Sequence, residues 1–504
     1  MTEPVDVLVI GGGVNGVGIA LDAAGRGLSV TLCEMNDLAS ATSSASSKLI
    51  HGGLRYLEQF EFRLVREALT EREILLQAAP HIIWPMRFRL PHRPHLRPAW
   101  MIRLGLWLYD HLARRNRLPA SRTLRLGEHS PLQPHLQLAF EYADAWVDDA
   151  RLVVLCAMAA AQRGATILPR TRCAKAEREN GLWRVELEHT SSQRRILHAR
   201  TLVNAAGPWA SRLFGSVLSS PPPATLRLVK GSHMVVPRLH EGNEAYILQN
   251  EDGRIVFVLP YERDYSLIGT TDVDHDGEPA DATASDKEID YLCAVANAHF
   301  RRQVVPTDVI YRYAGVRPLM ANGDGRAQKA SRDYKLLLDA PEDDAPLLSV
   351  FGGKITTFRA LAEDAVNQLA EHLPQATAPW TQRLVLPGGD FSSHDSLAAE
   401  LTSEYPWLAD ALIHRYVRSY GTLCRAFLQG CADTADLGEH FGAGLYQREL
   451  DYLMRQEWAH SADDVLWRRS KLGLRLTPEQ QARLAAYMEQ HEMRDTYPPA
   501  KVGG

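Results

Sequence analysis

Three glycines near the amino terminus, Gly11, Gly13 and Gly16, have the spacing of a turn that binds phosphates. The short β-branched run Val5–Ile10 precedes them, and apolar residues at helical spacing follow. In a strand–turn–helix of this kind, glycines permit a tight turn close to a pyrophosphate, and the helix N–H groups bind its oxygens. Glu34 ends the next predicted strand, where an acid favours an adenine ribose without a 2′-phosphate. These residues predict a dinucleotide site for FAD or NAD in preference to NADP.

A polar stretch, residues 41–56, follows this βαβ unit. It contains small hydroxyl residues, one lysine and a Gly52–Gly53 pair beside Arg55. Such a stretch suits a backbone that wraps around a long ligand with an anionic group at its end. An ordinary polar loop is the alternative interpretation.

Further motifs lie far along the chain. They are residues 62–65, 147–152, 204–207, 230–233, 268–272, 315–319, 351–357 and 464–470. Together with residues 11–16 and 41–56, they resemble the aerobic FAD-dependent glycerol-3-phosphate dehydrogenases of the D-amino-acid-oxidase-like flavoprotein group. The resemblance spans nearly the whole chain. It implies FAD as the cofactor, held without a covalent bond because Cys33 lies beside the ribose acid.

The resemblance also implies which residues line the FAD, and they come from four separated stretches. These residues are Gly11, Gly13, Gly16, Glu34, Thr42, Ser47, Lys48, Gly52, Ala206, Gly207, Gly353 and Thr356.

The implied substrate, glycerol 3-phosphate, has a dianionic phosphate and a secondary alcohol. Arginine suits the phosphate because its planar fork binds two oxygens and keeps its charge. The resemblance places four residues around the substrate with Thr270, namely Arg55, Tyr56, Arg317 and Arg332. For each arginine, an ordinary surface position is the alternative.

Oxidation of the alcohol releases a hydride, which passes from C2 to flavin N5 in the implied reaction, and a proton. A base must therefore lie within hydrogen-bond reach of the hydroxyl. His233 is the first candidate because histidine titrates near neutral pH and His233 begins a strand at the predicted domain interface; a structural histidine is the alternative. Lys354 is a second candidate, as base or as partner of the alkoxide, since burial near arginines would lower its pKa. Arg317 completes the predicted catalytic group.

The pattern of strands and helices that must position these residues predicts an α/β fold with three parts. They are a Rossmann-like FAD-binding domain, an antiparallel-sheet substrate domain and an all-helical C-terminal domain. The FAD-binding domain is predicted to be discontinuous, because a second strand of its sheet lies at residues 201–206. The predicted bounds are residues 1–80, 145–230 and 345–373 for the FAD domain, 81–144 and 231–344 for the substrate domain, 374–393 for a Pro- and Gly-rich linker, and 394–504 for the helical domain.

Composition excludes several classes of protein. The chain has 504 residues, of which 45% are apolar and 23% charged, as is typical of globular domains. A net charge of -5 gives no overall attraction to nucleic acid. The longest apolar run, residues 152–161, is too short to span a bilayer, and acids near the amino terminus argue against a signal peptide. Six cysteines without a CxxC pattern predict no disulfide, no metal site and a cytoplasmic location.

One basic segment stands out within this net acidic chain. Residues 84–117 hold eight arginines and the single acid Asp110, interleaved with Trp100, Trp107 and several leucines. This pattern predicts peripheral contact with anionic lipid, and a core helix flanked by solvated arginines is the alternative. The resemblance favours the first interpretation. It implies an enzyme on the inner face of the cell membrane that passes electrons to a membrane quinone, with capping and homodimer contacts in its C-terminal domain.

Three other functions remain open at this stage. An oxidase would give the electrons to oxygen. A 2-hydroxy-acid or amino-acid oxidoreductase could share the fold, because a fold does not fix a substrate. A flavin-binding sensor or scaffold would have no turnover, but the combination of His233, Lys354 and the arginines argues against it.

Overall fold

The computed structural model describes residues 3–320 and 333–491, and all bounds below refer to that part of the chain. Its strands are β1 (Val5–Ile10), β2 (Val30–Cys33), β3 (Leu49–Ile50), β4 (Ile83–Pro91), β5 (Arg122–Arg125), β6 (Leu138–Val147), β7 (Thr166–Leu168), β8 (Thr171–Glu179), β9 (Leu182–His189), β10 (Arg194–Asn204), β11 (Leu226–Pro237), β12 (Ala245–Gln249), β13 (Ile255–Tyr261), β14 (Tyr265–Gly269), β15 (Val273–Asp274), β16 (Tyr311–Met320), β17 (Lys335–Asp339), β18 (Leu347–Phe351), β19 (His440–Gly442) and β20 (Leu445–Tyr446).

The helices alternate with these strands in the first half of the chain and dominate its end. They are α1 (Val14–Gly25), α2 (Phe62–Ala78), α3 (Ala99–His111), α4 (Asp149–Gln162), α5 (Leu213–Ser216), α6 (Asp286–His299), α7 (Phe358–Ala370), α8 (His394–Glu404), α9 (Asp410–Tyr420), α10 (Arg425–Leu428), α11 (Gln447–Gln456) and α12 (Pro478–Gln490).

The first sheet is the predicted Rossmann-like layer. Its order is β17-β18-β10-β1-β2-β7, and the pairs from β18 to β7 are all parallel. Strands β8 and β9 extend it as an antiparallel pair on β10. Helix α1 packs against α4 and α7, and its buried face continues into the core below the sheet. Because β1, β10 and β18 are parallel neighbours, their carboxyl ends meet at one edge.

The second sheet is the predicted substrate layer. Its order is β15-β11-β14-β13-β12-β4-β6-β3, with β16 paired to β11 and β5 to β6. All these pairs are antiparallel except β12 with β4. Helix α6 covers one face, where Met234, Val258 and Ile268 contact Ile289 and Leu292 in one buried cluster. The opposite face carries His233 and is covered in part by α3, since Val235 and Leu267 belong to a buried cluster that contains Ile102 and Leu106.

The sheets depart from the predicted domain bounds in several places. Strand β17 was expected in the substrate domain within residues 231–344, but it pairs with β18 in the first sheet. Strand β3, within residues 1–80, pairs with β6 in the second sheet. Strand β11 begins at Leu226, and β6 continues to Val147. These differences arise because strands pair over long sequence distances, and the hydrophobic pattern within one strand does not show which other strand it pairs with.

The C-terminal region is mostly helical, as predicted, and contains in addition the short hairpin β19–β20. The expected linker, residues 374–393, is packed against the FAD domain. Leu384 and Leu386 are buried, and the Leu386 N–H donates to the Ala78 carbonyl oxygen over 2.8 Å. All six cysteines are buried thiols.

Candidate active site

The backbone around Gly11 and Gly16 is packed so closely that a side chain at either position would not fit. Gly11 has φ +116°, and a Cβ there would lie 2.5 Å from the Ala205 carbonyl oxygen. A Cβ on Gly16 would lie 1.9 Å from the Gly11 carbonyl oxygen. Gly13 is the N-cap of α1, whose first turn carries no acidic side chain. The turn therefore leaves backbone and a positive helix end available for a pyrophosphate, and this fits FAD.

Three strand ends supply the rest of this cradle. Beyond the carboxyl end of β1 lies Gly11, beyond β10 lie Ala206 and Gly207, and beyond β18 lies Gly353. Gly207 and Gly353 have φ of +55° and +97°. The structure thus brings residues from separated stretches to one edge of the first sheet.

Glu34 lies beside the same turn. Its Oε2 accepts from the Gly12 N–H over 2.7 Å, and its Oε1 accepts from the Asn36 N–H over 2.8 Å. Burial raises the pKa of Glu34, and these two hydrogen bonds partly oppose that shift. Each carboxylate oxygen can accept a further hydrogen bond, which is the requirement for binding ribose hydroxyls.

The stretch from Thr42 to Lys48 joins the two sheets. Thr42 Oγ1 donates to the Val316 carbonyl oxygen over 2.6 Å, and Ser47 Oγ lies 2.9 Å from His233 Nε2. The Lys48 ammonium is buried, and it donates to Asp149 Oδ1 over 2.7 Å. The Lys48 charge is therefore compensated by Asp149.

The remaining predicted cofactor residues lie where this stretch returns to the first sheet. The Gly52 N–H donates to the Tyr109 hydroxyl over 2.8 Å, and a Cβ on Gly52 would lie 2.5 Å from Leu69. Thr356 Oγ1 accepts from the His51 N–H over 3.3 Å. These contacts hold residues 51–52 against the turn that follows β18.

His233 is buried on the face of the second sheet opposite α6. Its ring stacks on Tyr313 with centroids 4.8 Å apart, and a Cβ on Gly269 would lie 2.1 Å from its Cδ2. Its Nδ1 has no hydrogen-bond partner among the described residues. Desolvation lowers the pKa of His233 well below 6.5, and the charges of Arg317 and Lys48 lower it further. His233 is thus neutral at physiological pH, as a general base must be.

Arg317 lies on the same face as His233. The register pairs His233 with Tyr313, Gly231 with Gly315 and Val229 with Arg317, so alternate residues of β11 and β16 share this face. A Cβ on Gly231 would lie 2.1 Å from Arg317 Nη2.

Neighbouring hydroxyl, carbonyl and carboxylate groups fix the Arg317 side chain. Its Nη2 donates to Thr270 Oγ1 over 2.7 Å and to the Thr271 carbonyl oxygen over 3.3 Å, and its Nη1 pairs with Asp272. Arg317 is therefore a fixed cation beside a neutral histidine.

Lys354 contacts Tyr56, which follows Arg55 in the turn after Gly53. Lys354 Nζ is 3.9 Å from the centroid of the Tyr56 ring, and that ring occupies the space a Cβ on Gly53 would need. Arg55 lies in the 3-10 turn Leu54–Gln59, and its guanidinium makes no hydrogen bond or ion pair with the residues that the structure describes. Arg332, the third predicted phosphate ligand, lies outside the described residues.

Sequence reasoning missed Glu288, which lies behind the second sheet. Its carboxylate accepts from Ser232 Oγ and Thr271 Oγ1, each over 2.8 Å, and Lys230 Nζ lies 2.8 Å from it. Burial alone would raise the pKa of Glu288, but these donors and Ser285 lower it to about 2. The capping box Ser285-x-x-Glu288 was the available signal, although it indicates a helix start and not a contact with β11.

Comparison with known proteins agrees with this architecture. The family model "FAD dependent oxidoreductase" matches residues 6–359, and the model "C-terminal domain of alpha-glycerophosphate oxidase" matches residues 379–492. The glycerol-3-phosphate dehydrogenase of Pseudomonas aeruginosa is 55% identical over 97% of this chain and 96% of its own length. The aerobic glycerol-3-phosphate dehydrogenase of Escherichia coli is 52% identical over 97% of this chain and 98% of its own.

Two further matches bear on substrate and cofactor. The D-erythritol 1-phosphate dehydrogenase of Brucella abortus is 50% identical over 97% of this chain and 98% of its own. The crystal structure of the Bacillus halodurans glycerol-3-phosphate dehydrogenase complexed with FAD has a TM-score of 0.73 at 26% identity, covering 97% of this chain and 94% of that one. The resemblance stated from the motifs, the fold class and FAD as cofactor are confirmed. The chain belongs to the family of FAD-dependent oxidoreductases, among the members that carry the C-terminal domain of alpha-glycerophosphate oxidase.

Proposed function

We propose that this chain oxidises sn-glycerol 3-phosphate to dihydroxyacetone phosphate and that its electrons pass to a membrane quinone. The observation that carries the proposal is the pairing of a neutral, buried histidine with a fixed arginine on one face of the second sheet. The names of the relatives from Pseudomonas aeruginosa and Escherichia coli support the substrate.

The phosphate is bound by arginine in this proposal. Arg317 is oriented by Thr270 and Asp272, so that little side-chain entropy is lost when it binds an anion. Arg55, which has no ion pair among the described residues, and Arg332 contribute further charge. Tyr56 packs against Lys354 and positions that ammonium at the substrate.

The alcohol is deprotonated by His233. Its Nε2 bonds to Ser47 and its Nδ1 lacks a partner within the described part of the chain, so one ring nitrogen can accept the C2 hydroxyl proton. Lys354 stabilises the developing alkoxide by its charge and is the alternative base. The bound FAD would accept the hydride released from C2.

The cofactor is held by the residues of the glycine turn and of the three strand ends. Gly11 and Gly13 bring the backbone close to the pyrophosphate, Gly16 lets α1 pack closely against Gly11, and Glu34 binds the ribose. The other contacts come from Thr42, Ser47, Lys48, Gly52, Ala206, Gly207, Gly353 and Thr356. No cysteine is needed for attachment.

A second polyol phosphate deserves comparison, because one relative at 50% identity is a D-erythritol 1-phosphate dehydrogenase. The experiment is anaerobic mixing of the yellow protein with glycerol 3-phosphate, D-erythritol 1-phosphate, a 2-hydroxy acid or a D-amino acid. We expect glycerol 3-phosphate to bleach the flavin at the lowest concentration. Preferential bleaching by any other compound would replace the proposed substrate, and no bleaching by any of them would favour the scaffold.

The electron acceptor is tested separately. We expect reduction of a quinone analogue to proceed much faster than oxygen uptake during turnover with glycerol 3-phosphate. The opposite ratio would make the protein an oxidase.

The membrane contact is proposed for a surface around α3. Phe60, Phe62, Trp100, Met101, Leu104 and Trp107 are all exposed, Phe60 by 78% and Trp100 by 67%. Arg97 pairs with Glu58 and so joins the start of α3 to the turn that carries Phe60. None of the helices within residues 3–320 and 333–491 is long and apolar enough to cross a bilayer. We infer that these side chains enter the interface at the inner face of the cell membrane.

The arginine count overstated the net charge of residues 84–117. Arg87 and Arg89 pair with Glu141, and Arg89 also pairs with Glu244. These partners lie outside residues 84–117, so the segment is less basic than its own sequence suggests.

Replacing Trp100 and Trp107 together by serine is expected to weaken binding to anionic lipid vesicles at least about tenfold, because two exposed aromatic side chains no longer leave water. Vesicle sedimentation at low and high salt measures the effect. The control is Ile196→Ser, which removes an exposed apolar side chain from β10. Wild-type protein recovered only in the soluble fraction at low salt would contradict the membrane contact.

A further inference from the structure

The motif at residues 464–470 contacts the FAD domain through buried charges. Arg469 is fully buried and binds Asp37 with both Nη atoms, Nη1 to Oδ2 over 2.6 Å and Nη2 to Oδ1 over 2.7 Å. Arg468 Nε also donates to Asp37 Oδ2. Asp37 is therefore clamped by two consecutive arginines of the C-terminal region.

Arg469 and its neighbours also bond to other groups of the C-terminal region. Its Nη2 and Nε donate to the Glu457 carbonyl oxygen over 2.7 and 3.1 Å. Asp464 accepts from Arg468 and from Arg170 Nη2, the latter over 2.7 Å. The guanidinium of Arg469 thus links the Glu457 carbonyl in the C-terminal region to the Asp37 carboxylate.

Asp37 belongs to the turn that carries the ribose acid. Within residues 34–39, the Asn36 N–H donates to Glu34 Oε1, and the Ala39 N–H donates to the Gly12 carbonyl oxygen over 3.1 Å. The Arg170 N–H donates to the Asn36 carbonyl oxygen over 2.8 Å. The arginine clamp, the ribose acid and the glycine turn therefore belong to one connected backbone unit.

We propose that Asp37, Arg468 and Arg469 form a cofactor-retention clamp, through which the C-terminal region holds the ribose-binding turn in place. Arg469 is a positioning residue, because it acts on FAD through Asp37 and Glu34. The inference rests on the proposed role of Glu34 at the ribose. It does not depend on which substrate is oxidised or on the electron acceptor.

The test compares two equivalent arginine substitutions in purified holoenzyme. Arg469→Lys keeps the charge and loses the two-point contact with Asp37. Arg415→Lys does the same to a bidentate pair with Glu449, both contacts being 2.6 Å, which lies wholly within the C-terminal region. The FAD dissociation constant is obtained from the FAD released on dilution and filtration, measured by its fluorescence well below the melting temperature of each variant.

We expect Arg469→Lys to raise the FAD dissociation constant about tenfold or more, by analogy with the loss of groups that orient the ligands of a metal. Arg415→Lys should lower the melting temperature and leave the FAD dissociation constant at the wild-type value. Asp37→Asn provides a second variant if Arg469→Lys does not fold, and it should release FAD in the same way.

Two results would overturn the proposal. One is a wild-type FAD dissociation constant in both Arg469→Lys and Asp37→Asn. The other is an equal increase in Arg415→Lys, which would show that general destabilisation releases the cofactor. Glu34→Gln tests the proposed ribose role of Glu34 separately from the clamp. A wild-type FAD dissociation constant in that variant would refute the ribose role, whatever the result for Arg469→Lys.

Discussion

Replacement of Arg317 by lysine is expected to lower kcat/KM for glycerol 3-phosphate about 100-fold, since hydrogen bonds to a charged group contribute about 1.5 to 3 kcal/mol each. Lysine retains the charge, but its ammonium cannot replace the fork that Thr270, Thr271 and Asp272 orient in this structure. Steady-state kinetics across a range of substrate concentrations measure the loss.

The same strand offers a control for this substitution. Arg312 lies on the opposite face of β16, half-exposed and paired with Asp286. Arg312→Lys should leave kcat/KM at the wild-type value. Unchanged kcat/KM in Arg317→Lys would remove Arg317 from the substrate site.

Replacement of His233 by glutamine is expected to lower kcat by about 10² to 10⁴, the usual contribution of a general base. Glutamine can still bond to Ser47, but it cannot take a proton at neutral pH. Stopped-flow measurement of anaerobic flavin bleaching reports this step directly. His299→Gln, which changes a buried histidine on α6, is the control and should retain the wild-type bleaching rate.

The pH dependence of the wild-type enzyme tests the same assignment. Desolvation and the charges of Arg317 and Lys48 lower the pKa of His233, so the neutral base persists as the pH falls below 6.5. The acid limb of the bleaching rate at saturating glycerol 3-phosphate should therefore lie well below pH 6.5, whereas that of kcat/KM also contains the second ionisation of the substrate phosphate at about pH 6. An acid limb above pH 6.5, together with rapid bleaching in His233→Gln, would favour Lys354 as the base.

Local features of the sequence were sufficient to predict the cofactor edge of the fold. A strand followed by this glycine turn indicates a dinucleotide site, since Gly11 needs a positive φ and Gly16 a close approach to the Gly11 backbone, and only glycine permits them. The strands of the second sheet were predictable for the same reason, because short alternating runs are separated by turn residues.

Contacts between distant residues could not be predicted in this way. Leu336 to Leu338 form an apolar run that either sheet could accept, and only its pairing with β18 assigns it to the first. From the sequence alone, Arg87 and Arg89 indicate a basic surface. The fold brings Glu141, more than 50 residues away along the chain, into ion pairs with both of them. Glu288 reads as a helix cap, and its contact with Ser232 appears only when α6 lies on β11.

The pairing of β1 with β10 and of β10 with β18 has a consequence for biosynthesis. The amino-terminal strand β1 is a central strand of its sheet, yet its neighbour β10 begins only at Arg194, and β18, on the far side of β10, begins at Leu347. A nascent chain on the ribosome therefore exposes its phosphate-binding glycines long before Gly353 has been synthesised. The cofactor cradle that we propose at the ends of β1, β10 and β18 is therefore complete only after most of the polypeptide has emerged.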